Sequence, residues 1–308
     1  MKIYNSIEAF SKVKNAVITT GTFDGVHKGH RVIINQLKAI ADKIDGETVL
    51  LTFFPHPRMV LYPDDNDLRL IDTIEERKEL LAEAGVDHLI IHPFSKEFSR
   101  ITSLDFVRNI LVNQLGVHTL VIGYDHHFGR NREGSFEHLK EFAPLYGFEV
   151  EEISAQEVQQ VNVSSTKVRT SLALGEINAA NQFLGHPYAM SGVVVHGDKL
   201  GREIGFPTAN IDIKEWYKLI PVNGVYAVKI VVDEVSFIGM LNIGNRPTIK
   251  GKDKTIEVNI FNFNTDIYNK TIKIEFYDRI RDEQKFENLN ALKQQLQFDK
   301  ERAIQVFS

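Results

Sequence analysis

The sequence predicts an α/β domain with a parallel sheet, followed by an antiparallel β-barrel or sandwich that ends in a helix. Up to residue 184, short apolar runs alternate with segments of helical periodicity, which is the pattern of βαβ units. After residue 184, strands bounded by turn residues follow one another, as in antiparallel sheets. The length of 308 residues favours two domains. We place these domains at residues 1–184 and 185–308.

The elements of the first domain follow from periodicity. Apolar runs of strand length predict strands at residues 16–20, 48–54, 87–92, 118–123 and 148–153. Helical spacing predicts helices at residues 32–44, 73–84, 104–115 and 135–146. Two helix starts have the spacing of a capping box, formed by Thr73 with Glu76 and by Thr102 with Asp105.

The elements of the second domain are short strands separated by turns. We predict strands at residues 192–196, 224–232, 235–243, 256–263 and 271–277. Residues 289–307 have helical periodicity, with Leu292, Leu296 and Ile304 on related faces. We therefore expect a C-terminal helix that packs on the sheet of this domain.

Composition excludes several classes of protein. A hydrophobic share of 43% with 25% charged residues is typical of a soluble globular chain, and no apolar stretch is long enough to span a bilayer. No export signal is visible, so we expect a cytoplasmic protein, either monomeric or weakly homo-oligomeric. The lack of cysteine excludes disulfides, thiolate zinc sites, iron–sulfur clusters and a cysteine nucleophile. A net charge of −5 without a basic block disfavours nucleic-acid partners.

The first segment that indicates chemistry spans residues 18–30. It places His27 and His30 three positions apart, after a predicted strand and before a predicted helix. In a parallel α/β sheet, ligands gather at the carboxyl ends of strands, and the N-terminus of the next helix attracts phosphate. Glycines at positions 21, 25 and 29 permit tight turns and close approach to a ligand. The alternative is a pair of turn histidines without a ligand.

A second segment, residues 163–169, combines hydroxyl side chains with two cations. By itself, this segment is best interpreted as an ordinary helix N-cap. Together, the two segments resemble the nucleotidylyltransferase superfamily, which has a Rossmann-like parallel sheet and binds the triphosphate of ATP between an H-x-G-H motif and a later basic Ser/Thr motif. The resemblance implies in-line attack of an acceptor phosphate oxygen on the α-phosphorus of ATP, with pyrophosphate leaving.

The superfamily resemblance also assigns roles to residues. His27 and His30 would be catalytic donors to the phosphate oxygens as negative charge develops, and magnesium would bridge the phosphates. Lys28, Lys167 and Arg169 would hold the pyrophosphate. The implied ATP- and phosphate-binding residues are Gly21, Phe23, Asp24, Lys28, Gly29, Ser164, Ser165, Thr166 and Arg169.

A glycine-rich loop in the second domain, residues 197–210, can wrap phosphates through its backbone N–H groups. Alone, it is better interpreted as a long connection between strands. However, residues 205–210 read G-F-P-T-A-N, which closely resembles the signature of riboflavin kinases. Further matches follow in order at residues 221–226, residues 242–248, Glu257 and residues 281–286. This second domain is therefore expected to be a barrel of the riboflavin kinase type.

The whole chain resembles the prokaryotic bifunctional riboflavin kinase/FAD synthetase family. That resemblance implies phosphorylation of riboflavin to FMN by ATP, followed by adenylylation of FMN to FAD. Glu257 matches the catalytic base, and Thr208 and Asn210 would hold Mg²⁺ on the ATP phosphates. The implied phosphate-binding residues of this domain are Gly197, Lys199, Gly201, Arg202 and Gly205. The implied flavin-binding residues are Phe54, Asp125, Phe128, Asn242 and Arg281.

Two positions depart from the family pattern, and two alternatives stay open. His126 follows Asp125 where the family usually has an aromatic residue, and Asn259 stands where a histidine is common. For Phe54 and Phe128, core packing is at least as favoured as flavin contact. The chain could keep only one of the two activities, or be a non-catalytic flavin-binding regulator. Intact motifs in both halves argue against each alternative.

Overall fold

The computed structural model describes residues 1–64, 67–123, 127–153, 163–197, 200–248 and 251–308. Within these ranges, only the backbone is described for residues 132, 200, 203, 246–248 and 251–253. The described chain forms two compact units. The sheet unit comprises Met1–Arg69 and Ile74–Ser164, and the barrel unit comprises Leu70–Thr73 and Ser165–Ser308.

The sheet unit contains one parallel six-stranded sheet. In chain order its strands are β1 Lys2–Tyr4, β2 Ala16–Thr20, β3 Thr48–Phe54, β4 His88–Pro93, β5 Val117–Gly123 and β6 Glu149–Ile153. Their order across the sheet is β1-β4-β3-β2-β5-β6, and every pair is parallel. The chain winds from β2 through β3 to β4 on one side and returns to add β5 on the other. The carboxyl end of β2 therefore lies at the switch point, where open α/β sheets bind ligands.

Helices cover both faces of this sheet. They are α1 Lys28–Ile44, α2 Pro57–Leu61, α3 Ile74–Glu83, α4 Ser103–Asp105, which continues as a π-helix over Phe106–Gln114, and α5 Phe136–Tyr146. Short 3₁₀ turns span Phe98–Arg100 and Arg130–Arg132. Strand β2 is buried throughout: Val17 packs with Leu37 of α1, whereas Ile18 packs with Leu111 of the π-helix. Burial on both faces explains why this strand is a continuous apolar run.

The barrel unit begins with two helices, α6 Ser165–Leu174 and α7 Ile177–Leu184. Its strands are β7 Tyr188–Val195, β8 Ala209–Asp212, β9 Gly224–Val232, β10 Val235–Thr248, β11 Gly251–Ile260 and β12 Thr271–Arg281. They close into a barrel in the order β10-β11-β8-β7-β12-β9, with antiparallel pairing. A short helix, α8 Leu200–Glu203, lies between β7 and β8, and α9 Leu289–Val306 ends the chain.

Apolar side chains pack both inside the barrel and on its outer face. Alternate residues of β7 are buried, and Tyr188 and Tyr226 pack on Phe276. Helix α9 packs on the outer face, where Ala303 belongs to one apolar cluster with Val225 and Met240. Helix α9 therefore covers part of the outer face of the barrel.

The predicted fold class is confirmed: a parallel α/β unit, a closed antiparallel barrel and a C-terminal helix. Several boundaries differ. Helix α1 begins at Lys28 instead of residue 32, because His27 caps it. Residues 106–114 form a π-helix where the periodicity predicted an α-helix. The sequence analysis missed the short elements β1, α2, α8 and β8 and the helix α7.

Packing assigns α6 and α7 to the barrel unit. The predicted domain boundary at residue 184 was based on the change from alternating helices and strands to successive strands. That boundary stays a prediction. Lys218 helps to fix residues 70–73 within the barrel unit, because its Nζ donates to the carbonyl oxygens of Ile71 at 2.6 Å and Ala189 at 2.7 Å. None of the described helices has the length and hydropathy needed to cross a membrane.

Candidate active sites

The loop that follows β2 has a strained backbone. Phe23 and Val26 have φ angles of 48° and 36°, and Gly25 has a φ of 89°. Positive φ is unfavourable for a side chain with a Cβ, and most of all for a β-branched residue. Phe23 and Val26 are both buried, so packing holds the loop in this conformation. Strain of this kind is maintained at functional sites, and here it lies at the switch point of the sheet.

The two predicted catalytic histidines lie together at the start of α1. His27 is the N-cap, and its Nδ1 accepts a hydrogen bond of 3.2 Å from the backbone N–H of His30. The imidazole rings are stacked, with centroids 3.7 Å apart and planes 10° apart. Because Nδ1 of His27 is an acceptor, a neutral His27 ring carries its proton on Nε2. A Cβ at Gly29 would lie 3.3 Å from the His27 ring, so this glycine permits the arrangement.

His30 is held as a neutral ring. Burial lowers the pKa of His30 well below its ordinary value, and the neighbouring His27 and Arg77 lower that pKa further. The ring also contacts Phe23 at a centroid distance of 4.8 Å. Since neutral imidazole keeps one N–H, His30 can still donate a hydrogen bond to a phosphate oxygen.

Asp24, one of the predicted phosphate-site residues, forms a buried ion pair. Its Oδ1 lies 3.3 Å from Nη2 of Arg77 on α3, and each side chain is 1% exposed. Arg77 was not among the residues predicted from the sequence. Arg77 stands in a run of charged residues that is typical of the exposed face of a helix. Only the packing of α3 shows that its guanidinium is buried.

Buried polar atoms without a hydrogen-bond partner concentrate around this loop. Among the described residues, four such side-chain atoms occur, and three belong to His30, Arg31 and Arg77. Leaving a buried donor or acceptor unsatisfied costs about 1–3 kcal/mol, so each instance calls for an explanation. A ligand rich in acceptor oxygens, such as a nucleoside triphosphate, would supply a partner for the ring of His30.

The remaining predicted residues of the first domain occupy varied places. Lys28 is exposed at the first turn of α1. Ser164 ends the sheet unit, whereas Ser165, Thr166, Lys167 and Arg169 lie on α6 of the barrel unit. Asp125 and His126 lie outside the described residues.

The two aromatic residues predicted to contact flavin differ in their burial. Phe54 ends β3 and is partly exposed. Phe128 is buried in the core, with its ring 5.6 Å from that of Phe106.

In the barrel unit, strand pairing brings the predicted kinase residues into one row. Glu257 of β11 pairs with Asn210 of β8 on one side and with Asn242 of β10 on the other. Asn242 pairs in turn with Val225, and Val225 pairs with Arg281. Residues directly opposite one another share a face of the sheet. Val225 contacts the cluster under α9, so this row lies on the outer face of the barrel.

Two contacts fix the segment around Thr208 against this row. The Thr208 hydroxyl lies 3.4 Å from Oε2 of Glu257. Asn259 donates through Nδ2 to the carbonyl oxygen of Pro207 at 2.6 Å. The departure from the family pattern at position 259 therefore supports the Pro-Thr segment from the neighbouring strand.

The glycines of the predicted phosphate loop approach these same residues closely. A Cβ at Gly197 would lie 2.1 Å from Nδ2 of Asn210, and one at Gly201 would lie 2.3 Å from the carbonyl oxygen of Phe206. Gly205 has a φ of 85°, which favours glycine. Lys199 lies outside the described residues.

A cavity of about 540 Å³ adjoins Thr208 and includes Arg202 in its lining. Its apolar lining includes Val194, Val258, Ile260, Phe263 and Ile267, and its polar lining includes Asn264, Thr265 and Asp266. Its volume is within the range of ligand sites, and its polar lining side chains could orient a polar ligand.

Arg281, predicted to contact flavin, binds the C-terminal helix. Its Nε lies 3.0 Å from both carboxylate oxygens of Asp299, and its Nη2 lies 2.8 Å from Oδ2. Asp299 is fully buried and also accepts a hydrogen bond from Gln295 at 2.8 Å. This contact connects α9 to the row that contains Glu257.

These two units define a class of enzyme that transfers phosphate-containing groups. The sheet unit has two imidazoles at a helix N-terminus beside unsatisfied donors. The barrel unit has a carboxylate beside a hydroxyl and two amides.

Comparison with known proteins specifies the family. The family model described as FAD synthetase matches residues 10–167, and the one described as riboflavin kinase matches residues 184–307. The bifunctional riboflavin kinase/FMN adenylyltransferase of Escherichia coli (strain K12) is 37% identical, over 100% of this chain and 98% of that protein. The protein of that name from Listeria monocytogenes is 40% identical, over 93% and 91% of the two chains.

A solved structure is similar along nearly the whole chain. It is described as a macrolide-efflux protein from Streptococcus pneumoniae, with 32% identity, a TM-score of 0.89 and 98% coverage of both chains. The chain belongs to the bifunctional riboflavin kinase/FMN adenylyltransferase family. It is a transferase with both activities, and the predicted function is confirmed.

Proposed function

We propose that each unit carries the catalytic residues of one reaction. The barrel unit would use Glu257 to phosphorylate riboflavin, and the sheet unit would use His27 and His30 to adenylylate the FMN formed. The observation that carries this proposal is the position of each set. The stacked histidines lie at the switch point of the sheet, and Glu257 lies between Asn210 and Asn242 in one row of the barrel.

For the kinase reaction, the ribityl 5′-hydroxyl of riboflavin attacks the γ-phosphorus of ATP. A neutral alcohol is a weak nucleophile, so Glu257 accepts its proton as the new bond forms. The cavity beside Thr208 holds the nucleotide, with the base against the apolar lining and the phosphates toward Arg202 and Thr208. The close approach of Gly197 to Asn210 keeps the loop tight against these phosphates.

Magnesium fits the donors of this site. Thr208, Asn210 and Glu257 offer hydroxyl, amide and carboxylate oxygens, which are the ligands that Mg²⁺ prefers. The described residues include no group of three His, Asp or Glu side chains able to hold a metal ion. From these oxygen donors we propose that Thr208 and Asn210 bind Mg²⁺ together with the ATP phosphates. When bound, the ion would neutralise charge on those phosphates.

For the adenylyltransferase reaction, a phosphate oxygen of FMN attacks the α-phosphorus of ATP in line, and pyrophosphate leaves. His27 donates from Nε2 and His30 from its one ring N–H to the non-bridging oxygens as their charge increases. The N–H groups of Lys28 and Gly29 have no partner within α1 and favour an anion at the same place.

Several assignments in these reactions stay predictions. They are the roles of Ser164, Ser165, Thr166 and Arg169 toward pyrophosphate, and those of Phe54, Asp125, Phe128, Asn242 and Arg281 toward flavin. The cytoplasmic location, the monomeric or weakly oligomeric state and the lack of nucleic-acid partners also stay predictions.

The test is to separate the two activities by substitution. We expect His27→Ala to lower FAD formation from FMN and ATP by roughly 100- to 1,000-fold while FMN formation is unchanged. We expect Glu257→Gln to lower FMN formation by roughly 100- to 10,000-fold while FAD formation from supplied FMN is unchanged. Chromatography of the flavins measures both rates.

Matched controls are His118→Ala on β5 and Glu275→Gln on β12, which replace the same residue types at positions that are not among the proposed site residues. Both controls should keep both activities. The two-site assignment is wrong if either His27→Ala or Glu257→Gln removes both activities from a folded chain.

A further inference from the structure

Arg77 is an unusual residue for the middle of a surface helix. Its side chain is 1% exposed, and it heads the set of largest fully buried side chains in the described chain. Arginine is almost never fully buried unless it is paired. Its position therefore requires a specific partner and a reason for burying the charge.

The partner is Asp24, in the strained loop between β2 and α1. The contact is a single one of 3.3 Å from Nη2, and Nε of Arg77 has no hydrogen-bond partner. The pair formed by Arg281 and Asp299 differs, because it has three contacts of 2.8–3.0 Å. The guanidinium of Arg77 is thus buried, yet its Nε–H donates no hydrogen bond.

Stability alone does not account for this pair. Removing two charges from water costs several kcal/mol per ion, and the single contact of 3.3 Å from Arg77 to Asp24 recovers only part of that cost. Apolar residues of similar volume would often stabilise the fold equally well. What the pair does supply is a fixed charge beneath the loop that carries Asp24, His27 and His30.

Arg77 also acts on the ring that the proposed reaction needs. Its positive charge is one of the causes that lower the pKa of His30, after burial and the neighbouring His27. A neutral His30 can stack on His27 without charge repulsion, at the observed centroid distance of 3.7 Å.

We propose that Arg77 is a positioning residue for adenylyl transfer: from α3 it holds Asp24 and so fixes the loop that presents His27 and His30 to ATP. It does not contact the reacting atoms. This inference rests on the proposed function of the sheet unit. Misplacing a catalytic group by about 1 Å can cost roughly 100-fold in rate, so the expected effect is on kcat.

The experiment uses the full chain with Arg77→Met, Arg77→Lys, Asp24→Asn and the double variant Arg77→Met with Asp24→Asn. FAD formation from FMN gives kcat and the KM for ATP, and FMN formation from riboflavin reports the barrel unit. Thermal unfolding reports stability. Lys78→Met is the matched control, since it removes a neighbouring charge of α3 that pairs only with Glu75 among the described residues.

We expect Arg77→Met to lower kcat for FAD formation by roughly 100-fold, with the KM for ATP changed less than about threefold. Arg77→Lys should have a kcat about tenfold higher than that of Arg77→Met, because lysine restores the positive charge. The double variant should unfold at a higher temperature than Arg77→Met, since the neutral amide of Asp24→Asn does not need the charge of Arg77, yet its kcat should stay low. Lys78→Met should behave as the wild type.

Three results would overturn the inference. If the double variant regained FAD formation together with stability, the pair would be structural only. If the KM for ATP rose tenfold or more at unchanged kcat, Arg77 would bind phosphate directly. If Arg77→Met matched the wild type, the residue would have no role in the reaction. A wild-type chain that forms FMN but no FAD would instead overturn the proposed function of the sheet unit. The assay of the wild type therefore separates this failure from a failure of the inference, which appears only in the variants.

Discussion

At the scale of single residues, both proposed sites contain glycines that leave room for neighbouring side chains. The site in the sheet unit also contains buried polar atoms without a hydrogen-bond partner. Gly29 and Gly197 leave room for His27 and Asn210, and a Cβ at either position would meet those side chains. His30 and Arg77 retain buried atoms without partners. A phosphate ligand that contacts His30 would explain its atom without a partner, whereas the buried charge of Arg77 is explained by its contact with Asp24 in the loop that carries the histidines.

His30 should make the stability of the protein sensitive to acid. The folded state lowers the pKa of His30 well below its ordinary value, chiefly by burial. The unfolded chain takes up a proton on His30 near pH 6.5, so below that pH the unfolded state binds more protons than the folded state. The free energy of unfolding therefore falls as the pH falls, by at most about 1.4 kcal/mol per pH unit from this group.

Replacing His30 with glutamine should remove this contribution. Urea unfolding at pH 7.5 and at pH 5.5 would show a smaller loss of stability for His30→Gln than for the wild type. Equal losses in the two proteins would show that His30 takes up its proton as readily in the folded state as in the unfolded one.

At the scale of elements, the row of residues that contains Glu257 depends on strands whose sequences show only a weak strand pattern. Strand β8 is only Ala209–Asp212, yet its pairing with β11 places Asn210 beside Glu257. The C-terminal helix contributes to the same row through Asp299 and Arg281. The helix therefore covers part of the barrel and also holds Arg281, a predicted flavin-binding residue.

Breaking the contact between α9 and β12 should weaken the barrel unit. Asp299→Asn leaves Arg281 without its carboxylate, and breaking a buried pair costs about 3–5 kcal/mol. We expect a lower midpoint in denaturant unfolding and a lower rate of FMN formation. Glu301→Gln, an exposed residue of the same helix that contacts Gln297, is the control and should change neither. Equal shifts for the two variants would contradict the role of Asp299.

Helix α1 and the π-helix show what element prediction can miss. The apolar spacing of α1 begins at Val32, so periodicity placed its start there, whereas the His27 cap starts the helix at Lys28. Residues 106–114 form a π-helix with Val107 and Leu111 buried in the core, whereas their apolar spacing predicted an α-helix.

At the scale of the whole molecule, the proposed catalytic residues of each reaction lie within one unit. His27 and His30 belong to the sheet unit, and Glu257 belongs to the barrel unit. If FMN leaves the kinase site and enters the adenylyltransferase site by diffusion, the two steps can occur on different molecules.

Mixing two inactive variants tests this. We expect His27→Ala and Glu257→Gln, each unable to convert riboflavin to FAD, to form FAD when combined with riboflavin and ATP. The rate should show a lag while FMN accumulates, and it should increase with the concentration of both variants. A mixture that accumulates FMN without FAD, although Glu257→Gln accepts added FMN, would show that FMN does not pass between molecules.

The sequence by itself determined the fold class, the family and the residues of both motifs, because these depend on local periodicity and on letters that stand close together. Only the tertiary structure decided which distant residues meet. The pairing of Asp24 with Arg77, the row formed by Asn210, Glu257 and Asn242, and the contact of Arg281 with Asp299 join segments far apart in the chain. Burial and strand register arise from packing of the whole unit, so no stretch of sequence contains them alone.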